Sequence, residues 1–157
     1  MTTTHSLTRD IGQAERAMRA LLERLLRKAR LSFPEWTVLV FLDGSGPLAR
    51  EDLVRRMIGG RVVPDAATAR ATLDFLLSEG LLGTDGSAGD DVRLELTGPG
   101  EAVYGPLRQA VSRITDELYG NLSFADVEAT HRTLTEVVRR ANERLATPGL
   151  GVEREER

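Results

Sequence analysis

GPLAREDLVRRMIGGRVVPDAATARATLDFLLSEGLL, residues 46–82, decides how the rest of the chain reads. After the breaker Gly46-Pro47, the run from about Arg50 to Ile58 places Leu53, Val54 and Met57 on one side of a short helix, and Gly59-Gly60 ends it. Past Arg61-Val62-Val63 a second helix is expected from Asp65 to Ser78. Pro64 stands where a first-turn proline is tolerated, and Asp65 lies near the positive end of the helix dipole. Ala69, Leu73, Leu76 and Leu77 mark its buried stripe, and Gly80 closes it. Two short helices joined by a tight turn are the first deduction.

Upstream, Ser32-Phe33-Pro34-Glu35 carries a capping box, with Leu31 and Trp36 at staple positions, so a further helix should run to about Leu42 and stop at Gly44. Downstream, Leu81-Leu82-Gly83-Thr84 leads into the loop Asp85 to Asp90. Val92-Arg93-Leu94-Glu95-Leu96-Thr97 then alternates with period two, as a half-buried strand does. Three short helices followed by a hairpin make a winged helix-turn-helix, expected over residues 31–100, in which the third helix enters the major groove and the hairpin flanks it. The loop lacks the Lys-Ser/Thr of a phosphate loop and the alternating acids of a calcium loop, so it is read as the wing tip.

The flanks are helical. Ile11, Ala14, Met18, Leu21, Leu22, Leu25, Leu26 and Ala29 recur at helical spacing within an N-terminal segment taken as 8–30. Residues 101–147 repeat the pattern through Leu107, Ala110, Val111, Ile114 and Leu118, and then, after a capping signal at Ser123 to Asp126, through Val127, Leu134, Val137, Val138, Ala141 and Leu145. Gly105-Pro106 is expected to break or kink the stretch after Tyr104, and residues 148–157 are expected to form a frayed tail. These flanks carry more apolar surface than a domain of about 70 residues can cover, so the N- and C-terminal helices are read as dimerisation elements. The fold class is mainly α with a small β-hairpin wing.

Composition narrows the function. The 157 residues are 41% hydrophobic and 29% charged, which suits a globular chain, and the absence of cysteine excludes disulfides, zinc–thiolate sites and thiol nucleophiles. No stretch of about 18 apolar residues and no signal-like N-terminus occurs, so the expected location is cytoplasmic, with no membrane partner. The acidic neighbours Glu51-Asp52 and Asp116-Glu117 point in different directions on a helix and cannot form an acid–base pair, so no enzyme, metal or cofactor is expected. Net charge is −3, unevenly spread: residues 1–30 carry +4, residues 31–100 carry −5 and the remainder −2.

The chain resembles the MarR family of transcriptional regulators from Ile11 to about Leu145. The resemblance rests on Ser32 to Leu42, on Gly46-Pro47-Leu48-Ala49-Arg50-Glu51-Asp52-Leu53, on Leu76-Leu77-Ser78-Glu79-Gly80-Leu81-Leu82, and on Leu96-Thr97-Gly98-Pro99-Gly100 after the wing. It implies an obligate homodimer that binds a palindromic operator in double-stranded DNA, usually as a repressor released by a small molecule, here an aromatic or phenolic effector. The chain departs from the family at the wing, where Gly89-Asp90-Asp91-Val92-Arg93 keeps one arginine of the usual Asp-Arg-Arg cluster. It departs again at Ala49, which replaces a capping hydroxyl, and at Ala71 and Thr84, where arginines are common.

DNA contacts are expected from Arg61, Thr68 and Arg70 at the front of the reading helix. Arg50, Arg55 and Arg56 flank the turn and either hold phosphates or pair with Glu51 and Asp52. Arg93 on the wing serves as a groove or phosphate contact or as one half of a cross-strand pair, with Asp90 and Asp91 opposing it. Phe33 and Trp36 sit near the region where the resemblance places an effector pocket, and they are either pocket or core. Arg16 and His131 are either polar companions there or ordinary solvated positions, and His5 belongs to the N-terminal tail. The acidic middle of the chain supports a second hypothesis, a winged helix with weakened DNA binding that acts through a protein partner.

Overall fold

The computed structural model describes residues 2–86 and 92–147, and side chains from residue 6 onward. Among the described residues, six helices and three short strands follow in the order α1 (Thr2–Ala29), α2 (Phe33–Ser45), β1 (Leu48–Ala49), α3 (Arg50–Gly59), α4 (Ala66–Ser78), β2 (Leu82–Thr84), β3 (Arg93–Leu96), α5 (Gly98–Tyr119) and α6 (Phe124–Ala146). The wing tip at Asp90 and Asp91, and the tail from Pro148, lie outside the described residues.

Local signals set most of the helix starts. The Ser32 hydroxyl accepts from the Glu35 N–H while the Glu35 carboxylate accepts from the Ser32 N–H at 2.8 Å, a complete capping box for α2. Ser123 caps α6 in the same way by accepting from the Asp126 N–H. At α3 the cap position is Ala49, which offers the helix no side-chain hydrogen bond, and losing such a cap costs about 1 kcal/mol. Pro64 is not in the first turn of α4. Asp65 is the cap, accepting from the Thr68 N–H at 2.7 Å, so Pro64 precedes the helix.

α3 ends at Gly59 as expected, whereas α1 starts at Thr2 rather than residue 8 and α2 runs through Gly44 to Ser45. Gly80 closes α4 in the left-handed region at φ 70°, with the Leu81 N–H returning to the Leu76 carbonyl at 3.0 Å. At the end of α3, however, the left-handed residue is Arg61, at φ 55°, rather than Gly59 or Gly60, and the Val62 N–H returns to the Met57 carbonyl at 2.9 Å. An arginine therefore occupies the reversal between α3 and α4, a conformation that costs an L-residue roughly 1–2 kcal/mol.

The sheet is larger than the hairpin expected from sequence. β3 is central, pairing antiparallel with β2 (Leu82↔Leu96) and also with β1 (Leu48↔Leu94, Ala49↔Arg93). α5 likewise runs unbroken through Pro106 and begins at Gly98, so Gly105-Pro106 does not end a helix. Pro106 removes the donor that would reach the Ala102 carbonyl, but both residues lie on the exposed side, where solvent can replace the bond. Thr97 starts α5. Its hydroxyl lies 2.6 Å from the Gly80 carbonyl and 3.1 Å from that of Leu81, and accepts from the Gly100 N–H at 3.0 Å.

The chain divides into two compact units, Met1–Arg113 and Ile114–Arg157. The first holds the core, in which Val38, Leu39, Leu53, Met57, Ala69, Leu73 and Leu76 are fully buried. α1 contributes Leu26 to it, while Leu7, Met18 and Leu21 on the same helix are exposed. In the second unit no residue of α6 is buried, and Leu122, Phe124, Val127, Leu134, Val137, Val138 and Leu145 all face solvent, Phe124 at 80% exposure. Along α6, Arg139 and Arg140 hold the Glu136 carboxylate well below the usual range, at about 2. No helix among the described residues is long and apolar enough to cross a membrane.

Candidate nucleic-acid interface

α2, α3 and α4 pack through Leu39, Leu53, Met57 and Leu73, and this packing turns Ala67, Thr68, Arg70, Ala71, Asp74, Phe75 and Ser78 of α4 outward. The sheet follows α4 immediately through Leu81 and Leu82, as a wing must. A helix with a solvent-exposed outer face, preceded by a supporting helix and flanked by a hairpin, defines a winged helix-turn-helix.

Four of the arginines expected at DNA reach side-chain partners, and Arg61, Thr68 and Arg93 are placed by their backbone. Arg70 reaches across to α3 and contacts both carboxylate oxygens of Glu51, at 3.1 and 3.3 Å. Arg50 reaches the other way, to Asp74 at 2.5 Å, and also approaches the Arg70 carbonyl at 3.4 Å. Arg55 pairs with Asp52, and Arg56 donates to the Ser45 hydroxyl at 2.9 Å. Arg61 occupies the left-handed turn. Arg93 is exposed on β3, and its backbone N–H meets the Asp85 carboxylate at 3.3 Å. The Thr68 N–H is taken by Asp65, whose pKa that hydrogen bond lowers, so the positive end of α4 already faces a carboxylate of its own chain.

The residues named for an effector pocket separate into different settings. Trp36 is core: 7% exposed, its ring lies 5.2 Å from that of Tyr104. Phe33 is half-buried beneath the Arg19 guanidinium, 4.3 Å above its ring, an arrangement worth about 0.5–1 kcal/mol when exposed. Arg16 and His131 are exposed. A cleft lies elsewhere in the first unit, between α1 and α5. It is about 290 Å³ in volume and is lined by Leu25, Lys28, Ala29, Val103, Pro106, Leu107 and Ala110. A second, of about 490 Å³, lies beside the α3–α4 turn. No group of three metal-ligating side chains occurs among the described residues.

Two features escaped the sequence reading. One is Glu51 and Asp74 as partners of Arg70 and Arg50; the adjacent opposite charges at 50 and 51, set against 70 and 74 one turn apart, were the signal. The other is a network under Trp36, in which the Tyr104 hydroxyl donates to Asp43 at 3.0 Å and Arg108 donates to the same carboxylate at 2.9 Å. Burial, then the Asp43 bond and charge, push the Tyr104 phenol up to about 12 from 10.0. The fold therefore favours the protonated phenol, and this contribution is complete below pH 10 and disappears as pH rises toward 12. Thermal melts should fall across that window, and Tyr104→Phe should flatten the fall. An equal fall in the variant would assign the loss to other groups.

No protein-family model matches the sequence, and no curated protein matches it. Solved structures do. A MarR family protein from Bacillus stearothermophilus superposes with a TM-score of 0.68 at 16% identity, over 89% of this chain and 96% of that one. Staphylococcus aureus MarR in complex with salicylate and kanamycin gives 0.74 at 18% identity, over 91% and 95%. Bordetella bronchiseptica BpsR, whose DNA binding is regulated by 6-hydroxynicotinic acid, gives 0.64 at 21% identity, over 83% and 91%. The chain has the MarR fold, a winged helix-turn-helix with long helices at both ends.

Proposed function

We propose that this chain is a cytoplasmic, homodimeric transcriptional regulator of the MarR type, a repressor that reads a palindromic operator with α4, touches the flanking groove with its wing, and is released by a small aromatic or phenolic effector. The observation that carries the proposal is the outward face of α4, held rigid by a buried stripe and flanked by a wing. Within it, Arg70, Thr68 and Arg61 are assigned to base edges and nearby phosphates, and Arg50, Arg55, Arg56 and Arg93 to the backbone. The dimer is supported by α6, a helix of 23 residues without a buried side chain, and by the exposed Leu7, Met18 and Leu21 of α1, because helices of this kind need a partner surface to persist in water. The effector is supported by the complexes of the structural neighbours, and the cleft between α1 and α5 is the place assigned to it here, with Lys28 as the cation beside an apolar wall.

The test is fluorescence anisotropy with duplex DNA from upstream of the chain's own gene, against a scrambled duplex, at several salt concentrations. Tight binding that weakens with salt is expected, and Arg70→Ala should lower the affinity by about 1–3 kcal/mol while light scattering still shows two chains. Unchanged affinity would remove Arg70 from the interface. A single-chain mass for the parent protein would end the dimer assignment. A second reading, a winged helix serving a protein partner, is favoured by the carboxylates already bound to Arg50, Arg55 and Arg70. It predicts no DNA binding even at low salt.

A further inference from the structure

From α3 to the end of α4 the chain carries five arginines, at positions 50, 55, 56, 61 and 70, against four carboxylates, Glu51, Asp52, Asp65 and Asp74. Two of those carboxylates bridge between the helices. Arg50 and Glu51 are neighbours at the start of α3, Arg70 and Asp74 are one turn apart on α4, and the pairs connect crosswise, Arg50 to Asp74 and Glu51 to Arg70. Each carboxylate therefore occupies the donors that a phosphate oxygen would use, in much the same geometry, since a guanidinium presents the same fork to carboxylate and phosphate.

These pairs are also exchangeable. The side chains are 47% and 59% exposed for Arg70 and Glu51, and 35% and 64% for Arg50 and Asp74, and ion pairs so open to solvent hold helices together only weakly. Their larger effect falls on an incoming polyanion. For Arg70 to take a phosphate, Glu51 must be released or left about 3 Å from the new anion's position, where like charges repel. The same holds for Arg50 and Asp74.

Building on the DNA-binding function proposed above, we infer that Glu51 and Asp74 are internal stand-ins for DNA phosphates, a built-in counterweight that holds down the affinity of α3 and α4 for duplex DNA. With both carboxylates neutral, the net charge of this segment rises from +1 to +3 without a change in side-chain shape. On phosphate contacts the counterweight acts alike for every sequence, because phosphates carry no base information.

The experiment measures binding of the full chain to a mixed-sequence duplex over a salt series, for the parent protein, Glu51→Gln, Asp74→Asn, the double variant, and Arg70→Ala with and without Glu51→Gln. Thermal melts establish that each variant is folded. The double variant should bind about tenfold more tightly at low salt, with a log–log salt slope steeper by about 0.9 for each carboxylate removed. The gain from Glu51→Gln should shrink when Arg70 is absent, because no guanidinium is then released. An undiminished gain in the Arg70→Ala background would reduce the effect to bulk charge and overturn the inference. So would unchanged affinity in a folded double variant while the parent binds, and in that case the DNA-binding function survives. If neither the parent nor the double variant binds at low salt, the inference and the DNA-binding function fall together.

Discussion

Gly100→Ala should unfold the winged domain or lower its stability by about 4 kcal/mol or more, in the range reserved for severe steric conflict. A β-carbon at this position would stand 2.0 Å from the Leu81 carbonyl oxygen and 3.0 Å from its carbon, and both are backbone atoms that cannot swing aside. The Leu81 carbonyl is fixed in turn, because it accepts the Thr97 N–H at 3.1 Å where the sheet meets α5. The added methyl would therefore push α5 off the strand that anchors it, and not merely crowd a side chain. Gly98→Ala, two residues away on the same helix, is the control: nothing lies within 4 Å of its β-carbon, and alanine favours a helix over glycine by up to about 1 kcal/mol. Chemical denaturation of the two variants side by side tests the clash, and an unchanged unfolding midpoint for Gly100→Ala would refute it.

Trp36→Ala should cost about 3–5 kcal/mol, the usual range for emptying a buried aromatic site. For a chain of this length that corresponds to a fall in melting temperature of roughly 10 °C. The indole is nearly enclosed, packs against Tyr104, and through it touches the network in which Asp43 binds both Tyr104 and Arg108. Phe33→Ala should cost much less, because that ring is half-buried and loses chiefly the Arg19 guanidinium above it. A loss below about 1 kcal/mol for Trp36→Ala would contradict its place in the core and return it to the list of ligand contacts.

The contrast between these two aromatics shows what was legible beforehand. Signals confined to one turn of chain were readable: the Ser32–Glu35 box, the Ser123 cap, the left-handed Gly80 and the apolar stripe of α4 all follow from spacings of three or four residues. Features made by distant segments were not. β1 is two residues long and exists because Leu48 finds Leu94. Arg61 takes the left-handed position although two glycines precede it, because the turn is set by where Met57 and Val62 meet. Trp36 had the spacing of a core residue and the chemistry of a pocket residue, and the ring of Tyr104 opposite it, 68 positions along the chain, puts it in the core. In the candidate site the arginines were visible as charges. Their partners depended on the crossing of α3 and α4, which no local pattern encodes.

The proportions of the sheet bear on how the protein behaves when concentrated. Both outer strands are short, two residues in β1 and three in β2, with the longer β3 enclosed between them. An outer strand of that length exposes too few unpaired amides and carbonyls to seed the addition of another chain, which is how sheets commonly begin to aggregate. The described strands thus form a small sheet without offering a template for fibres.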